Sequence, residues 1–151
     1  MNKELPHSEV YTRLQSSPIH GVGVFAIRDI AEGINIFSND ESGMTWIDGS
    51  EIKNIDPELK RLYDDFCVIK DGKYGCPQNF NMLTVGWYLN ESEDNPNVRC
   101  TNDYDFVAMR YIKKGEELLI DYSTYSEYPK NSLYGLATKQ LDKKHERRFN
   151  K

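Results

Sequence analysis

Short β-prone segments cut by turn residues constrain this chain more than any other feature. Between Val10 and Phe37 they are Val10-Tyr11-Thr12, Gly23-Val24-Phe25-Ala26-Ile27 and Ile34-Asn35-Ile36-Phe37, separated by turns at Ser16-Ser17-Pro18 and Ala31-Glu32-Gly33. The period changes at Asp56, a fitting N-cap before Pro57, with Leu59, Leu62, Tyr63 and Phe66 spaced for one face of a short helix. Asp71-Gly72 then joins Cys67–Lys70 to Lys73–Cys76, a two-residue hairpin signal because a type I′ turn needs positive φ at both positions. Phe106–Met109 and Glu117–Ile120 read as further strands around the polar Lys113–Glu116 turn. From Asn131 onward Leu133, Leu136, Ala137 and Leu141 fall at helical spacing, which predicts an amphipathic helix ending in a basic run. The expected class is mostly β with short helices.

A chain of 151 residues is one domain's worth. It can bury roughly 70% of the surface exposed on unfolding without metal or disulfide staples. Cys67, Cys76 and Cys100 are odd in number and widely spaced, with no C-x-x-C pair, and read as reduced, packed thiols. The net charge of −5 is uneven, since residues 130–151 hold seven Lys/Arg against two Asp/Glu and form a basic tail on an acidic body. No stretch approaches the ~20 apolar residues of a membrane span, and the charged N-terminus has no apolar run of a secretory signal behind it. A soluble, intracellular protein is expected, cytoplasmic or, in a eukaryote, nuclear, with no membrane partner and no direct nucleic-acid binding.

Three clusters stand out. His20-Gly21-Val22-Gly23-Val24-Phe25-Ala26 is either a tight turn or a place where bare backbone approaches a ligand; it lacks the third glycine and following helix of a dinucleotide site. Trp87–Asn97 sets an aromatic and apolar run against a polar loop with an Asn-Pro turn, and Gly115–Tyr122 is a turn, a strand and a terminal tyrosine. In this order the clusters resemble the SET domain of protein lysine methyltransferases, whose pattern is a G-x-G-V-F-A opening, an N-H-S-x-x-P-N loop and a G-E-E-L-x-x-D-Y ending. Ala108–Gly115 is similar to that family's lead-in to the final turn. The chain has Asn90-Glu91-Ser92 where the family has Asn-His-Ser, a loop to Pro96-Asn97 one residue longer, Ser123 after the final tyrosine, and no cysteine cluster after it.

The resemblance implies a SET-type β-fold with a pseudoknot, spanning residues 1–129 with an inserted region at about 40–77, followed by the C-terminal helix at 130–151. It implies methyl transfer from S-adenosylmethionine to a lysine ε-amine of a protein substrate. The acidic body suits a basic, lysine-rich target. The alternative is a catalytically silent SET module that binds a protein partner. By the resemblance Tyr122 is catalytic, with its hydroxyl toward the methyl and amine. His20, Gly21, Val22, Gly23, Val24, Leu89, Asn90, Glu91 and Tyr122 would border the cofactor, and Tyr88, Tyr125 and Tyr128 would line the lysine channel. No metal is required, and none of His7, His20 and His145 is assigned as a general base. Trp46 reads as packing.

Overall fold

The computed structural model describes residues 5–127. In chain order the strands are β1 (Thr12–Ser16), β2 (Val22–Ala26), β3 (Thr45–Asp48), β4 (Val68–Lys70), β5 (Lys73–Cys76), β6 (Asn90–Glu91), β7 (Val98–Cys100), β8 (Phe106–Ala108) and β9 (Glu117–Ile120). The α-helix is α1 (Pro57–Phe66), and single 3₁₀ turns cover Gly49–Ile52, Phe80–Met82, Val85–Tyr88 and Tyr122–Thr124. The mostly β class expected from the sequence is the class observed. The described residues form two compact units, one made of residues 5–44 with 77–125, the other of residues 45–76 with 126–127.

The first unit is built on a six-stranded sheet in the order β1-β2-β9-β7-β8, with β6 also against β9. β1 and β2 form an antiparallel hairpin from Thr12↔Ala26 to Ser16↔Val22. Its turn closes through the Ser17 N–H on the Gly21 carbonyl (2.8 Å), with Gly21 at φ +46°, a conformation that favours glycine. Pairing, not local β-preference, sets the first strand's limits. The strand expected at Val10–Thr12 runs instead from Thr12 to Ser16, while the Val10 N–H closes a turn on His7 (3.1 Å). Likewise the strand expected at Ile34–Phe37 shrinks to a single bridge, Asn35↔Val107, because the chain turns away immediately afterwards.

On β2 and β9 the side chains alternate as a pleated strand requires, sending Val24, Ala26, Leu118 and Ile120 inward. They join Ile30, Ile36, Leu89, Val98, Ala108 and Ile112 in one core. The valine, leucine and isoleucine side chains among them hold the sheet by burial, each worth about 1.5–3 kcal/mol when fully removed from water.

The second unit pairs β3 with β5 and β5 with β4, all antiparallel. Asp71 (φ 52°) and Gly72 (φ 74°) make the expected two-residue turn between β4 and β5. α1 begins as its sequence predicts: Asp56 accepts from the Glu58 and Leu59 N–H groups at 2.9 and 3.3 Å, and Pro57 takes the first helical position. Leu62, Tyr63 and Phe66 are half-buried, but Leu59, expected on the same covered face, is 41% exposed. Tyr63 meets Tyr74 of β5 edge to face at 6.3 Å. Ser126 and Glu127 run beside β4, where the Glu127 N–H donates to the Ile69 carbonyl (2.7 Å) and the Ile69 N–H to the Ser126 hydroxyl (3.0 Å).

Cys67 and Cys76 are free, buried thiols, as their reading as reduced, packed cysteines expects, and they lie just beyond the Val68↔Gly75 pair of β4 and β5. The hydrogen bond between them and their burial push the Cys67 thiol up, while the same bond draws Cys76 down. The C-terminal helix expected at 130–151, together with Tyr128 and His145, lies outside the described residues.

Candidate functional site

The three sequence clusters meet around β9. β2 flanks it on one side, antiparallel through Val24↔Leu118. β7 flanks it on the other, parallel through Val98↔Ile120, and β6 also pairs with it in parallel, through Asn90↔Leu119 and Glu91↔Ile120. The loop between β6 and β7 is fastened to the same strand. The Ser92 N–H donates to the Ile120 carbonyl and the Asn97 N–H to the Leu119 carbonyl, both at 3.0 Å. Asn97, 2% exposed, adds its side chain as a second peptide group: Nδ2 donates to the Glu117 carbonyl (2.9 Å) and Oδ1 accepts from the Leu119 N–H (2.8 Å).

Asn90 binds the glycine segment to this strand. Its Nδ2 lies among three acceptors: the His20 carbonyl (3.0 Å), the Val22 carbonyl (3.2 Å) and Glu117 Oε1 (2.9 Å). Three acceptors around one amide nitrogen fix which way the side chain faces. Its Oδ1 accepts no hydrogen bond among the described residues, and since no buried side-chain polar atom there lacks a partner, Oδ1 reaches solvent.

The two glutamates of the Gly-Glu-Glu-Leu segment divide the work. Glu116 holds the preceding turn, accepting from the Lys113 N–H (2.8 Å) and pairing with Arg110 (3.2 Å). Burial opposes its charge, but these donors hold its carboxyl below the usual range. Glu117 points the other way, accepting from Asn90 and from the Ser17 hydroxyl at 2.8 and 3.0 Å. Gly23 is the floor of this arrangement, since a Cβ there would lie 2.2 Å from Glu117 Oε1. The two glycines therefore serve different ends, Gly21 the turn and Gly23 the carboxylate. Neither Glu117 nor Ser17 is picked out by sequence reasoning, because each signal is a single polar residue in a strand or turn.

Tyr122 follows β9 directly, in a 3₁₀ turn capped by Asp121, whose side chain accepts from the Ser123 N–H at 3.0 Å. Its hydroxyl donates to the carbonyl of Leu89. Tyr122, Tyr125, Phe106 and Phe37 form a chain of edge-to-face rings, with successive centroids at 6.3, 6.0 and 6.1 Å. Phe37 in turn covers Gly86, where a Cβ would meet its ring at 3.2 Å, in the 3₁₀ turn that delivers Tyr88 and Leu89. The Asp40 carboxylate steadies that approach by accepting from the Thr84 and Ser42 hydroxyls and the Ser42 N–H.

Most of the expected site residues thus share one neighbourhood: Tyr122 with Leu89, Asn90 with His20 and Val22, and Tyr125 with Tyr122. Tyr88 packs against the same core, and Glu91 is half-buried opposite Ile120. Val24 is wholly buried in the core, paired with Leu14 of β1 and Leu118 of β9. Tyr128 lies outside the described residues. Among the described residues no group of His, Cys, Asp and Glu could hold a metal ion, and no helix is long and apolar enough to cross a membrane.

The fold and site define a β-rich domain in which a glycine hairpin, an asparagine loop and a strand-ending tyrosine converge on one central strand. The SET domain family model matches residues 21–123, and the chain belongs to that family. Among solved structures, it is similar to a Plasmodium falciparum protein assigned as a histone methyltransferase, at 22% identity and a TM-score of 0.49, over 75% of this chain and 93% of that one. No protein with a curated description matches.

Proposed function

We propose that the protein transfers a methyl group from S-adenosylmethionine to a lysine ε-amine of a basic protein substrate. The observation that carries this is the meeting of Tyr122, Leu89, Asn90 and the Gly21–Gly23 segment in a chain of the SET family. The residues fit such a cofactor: Asn90 Oδ1 is an acceptor open to a donor such as the methionyl ammonium, and the exposed residues Gly21 and Val22 lie alongside. When bound, S-adenosylmethionine supplies an electrophilic methyl on a sulfonium.

The protein's own part is to position and to neutralise. A lysine in water has a pKa of about 10.4 and is almost wholly protonated. Aromatic walls such as Tyr122 and Tyr125 strip its water and favour the neutral amine, which alone is a nucleophile. The Tyr122 hydroxyl and the Leu89 carbonyl offer polar points against which the amine is aimed.

Titration calorimetry with S-adenosylmethionine tests the first half, and saturable binding is expected. Transfer of labelled methyl to a lysine-rich protein mixture tests the second. Tyr122→Phe should keep the fold and cofactor affinity while lowering transfer by roughly a hundredfold. Binding without transfer would make the chain a silent SET module, and no binding at millimolar ligand would overturn the proposal.

A further inference from the structure

Glu117 has no place in the chemistry above, yet it is the hub of the polar contacts that join the three clusters. Its half-buried carboxylate accepts from Asn90 Nδ2 (2.9 Å) and from the Ser17 hydroxyl (2.8 and 3.0 Å), from residues 27 and 100 positions away in the chain. Resting on the reading that the site takes S-adenosylmethionine, we propose that Glu117 is a positioning residue. Seated on Gly23, its carboxylate holds the Asn90 amide so that Oδ1 faces outward to receive the cofactor's methionyl ammonium.

Ser17 spends its single proton on Glu117, and its oxygen accepts from the Ile19 and His20 N–H groups at 3.0 and 3.3 Å. Asn90 presents N–H on the other side. Both neighbours therefore offer donors, and Glu117 Oε1 takes one from each while Oε2 also lies 3.0 Å from the Ser17 oxygen. A glutamine of the same shape cannot reproduce this: with its oxygen in the Oε1 place its NH₂ faces the Ser17 oxygen, whose acceptor capacity is already used, and the other way round it faces the Asn90 NH₂. Asn90 cannot answer by turning over, since its oxygen would then face the His20 and Val22 carbonyls. Gly23 completes the device: a Cβ there would fall 2.2 Å from Glu117 Oε1 and 3.1 Å from Ser17 Cβ. The end of a glutamate side chain moves easily, so Gly23→Ala should leave the fold standing and displace the carboxylate.

The test measures binding of two ligands by calorimetry, S-adenosylmethionine and 5′-methylthioadenosine, which shares the nucleoside but lacks the amino-acid group. Saturable binding of S-adenosylmethionine by the parent is the check on the functional reading itself, and its absence would overturn both. With the parent binding, Glu117→Gln and Gly23→Ala should each weaken S-adenosylmethionine by roughly ten- to a hundredfold, the range for a hydrogen bond to a charged group. Affinity for 5′-methylthioadenosine should stay within about twofold of the parent. A carboxylate that merely holds the fold would weaken both ligands alike, and that result, or undiminished S-adenosylmethionine binding in both variants, would overturn the proposal. Gly23→Ala in a Glu117→Ala background separates the routes, since it should cost nothing beyond Glu117→Ala alone. An additional loss there would mean that Gly23 meets the ligand directly and that Glu117 is not the intermediary. If Glu117→Gln does not fold, Gly23→Ala and this pair carry the test.

Discussion

Replacing Asn97 with alanine should unfasten the loop between β6 and β7 from β9. The side chain is 2% exposed and makes two bonds, to the Glu117 carbonyl at 2.9 Å and from the Leu119 N–H at 2.8 Å. Alanine leaves both backbone groups without a partner, at about 1–3 kcal/mol for each group that water cannot reach. Leu119 is only half-buried and water relieves part of its loss, so the expected cost is about 2–4 kcal/mol. In a domain of this size that lowers the Tm by roughly 5–15 °C, at about 2–4 °C per kcal/mol. Urea unfolding followed by tryptophan fluorescence should show a lower midpoint with an unchanged slope. Asn97→Asp sharpens the test, because the carboxylate keeps the Leu119 bond but sets a charge against the Glu117 carbonyl. Facing that carbonyl out of water, the group's folded pKa would lie above its unfolded value, so its destabilisation should be full at pH 7 and shrink as pH falls toward about 4. A loss below about 0.5 kcal/mol for Asn97→Ala would refute the claim that this side chain fastens the loop.

Other outcomes are equally open to measurement. Gly72→Ala places a side chain at φ 74° and should destabilise by about 1–2 kcal/mol, seen as faster amide exchange in the β4–β5 hairpin. Asp56→Ala removes the cap of α1 and should cost about 1 kcal/mol, read by denaturant titration. Asp29, Asp40 and Glu116 all have carboxyls held below their ordinary range. In Asp29 the cause is foremost the Tyr111 hydroxyl; in Asp40 hydrogen bonds from Ser42 and Thr84 overcome burial. Because the folded pKa values are the lower ones, the stability they lend is full above about pH 4 and is lost as pH falls further. Thermal melts should be flat from pH 7 to about 5 and fall below about 4, with a shallower acid limb in Asp40→Asn; a fall already complete at pH 5 would contradict the assignment.

Elements written in adjacent residues are legible in the sequence. Asp56-Pro57 starts α1, Asp71-Gly72 turns the hairpin, and Glu117–Ile120 is a strand with the limits its pattern suggests. What depends on distant partners is not. The first strand is displaced toward Ser16 because β2 decides its register, and Ile34–Phe37 forms one bridge because only one pair of residues reaches Val107. The site divides in the same way. The motif residues are visible through the order of the clusters. The contact of Glu117 with Ser17 spans 100 residues, and the pairing of Cys67 with Cys76 rests on strand register, so no local pattern announces either. Even the second glycine carries no sign of its purpose, since the carboxylate that needs it empty comes from β9.

The place of β9 has a consequence for how the chain is made. β1–β2 and β7–β8 are hairpins of neighbouring segments and can form as soon as each leaves the ribosome. The strand that joins them, Glu117–Ile120, is the last of the sheet to be synthesised, and until it arrives β2 and β7 each present an open edge with half-covered aliphatic side chains. At about 5–20 residues per second, the interval from the end of β2 to the end of β9 lasts roughly 5–20 seconds. During that time Asn90 has no Glu117 to meet and Leu89 no Tyr122. Open edges of this kind attract other strands, so a nascent chain stalled before Glu117 should be a client for holding chaperones, and one released just after Tyr125 should not.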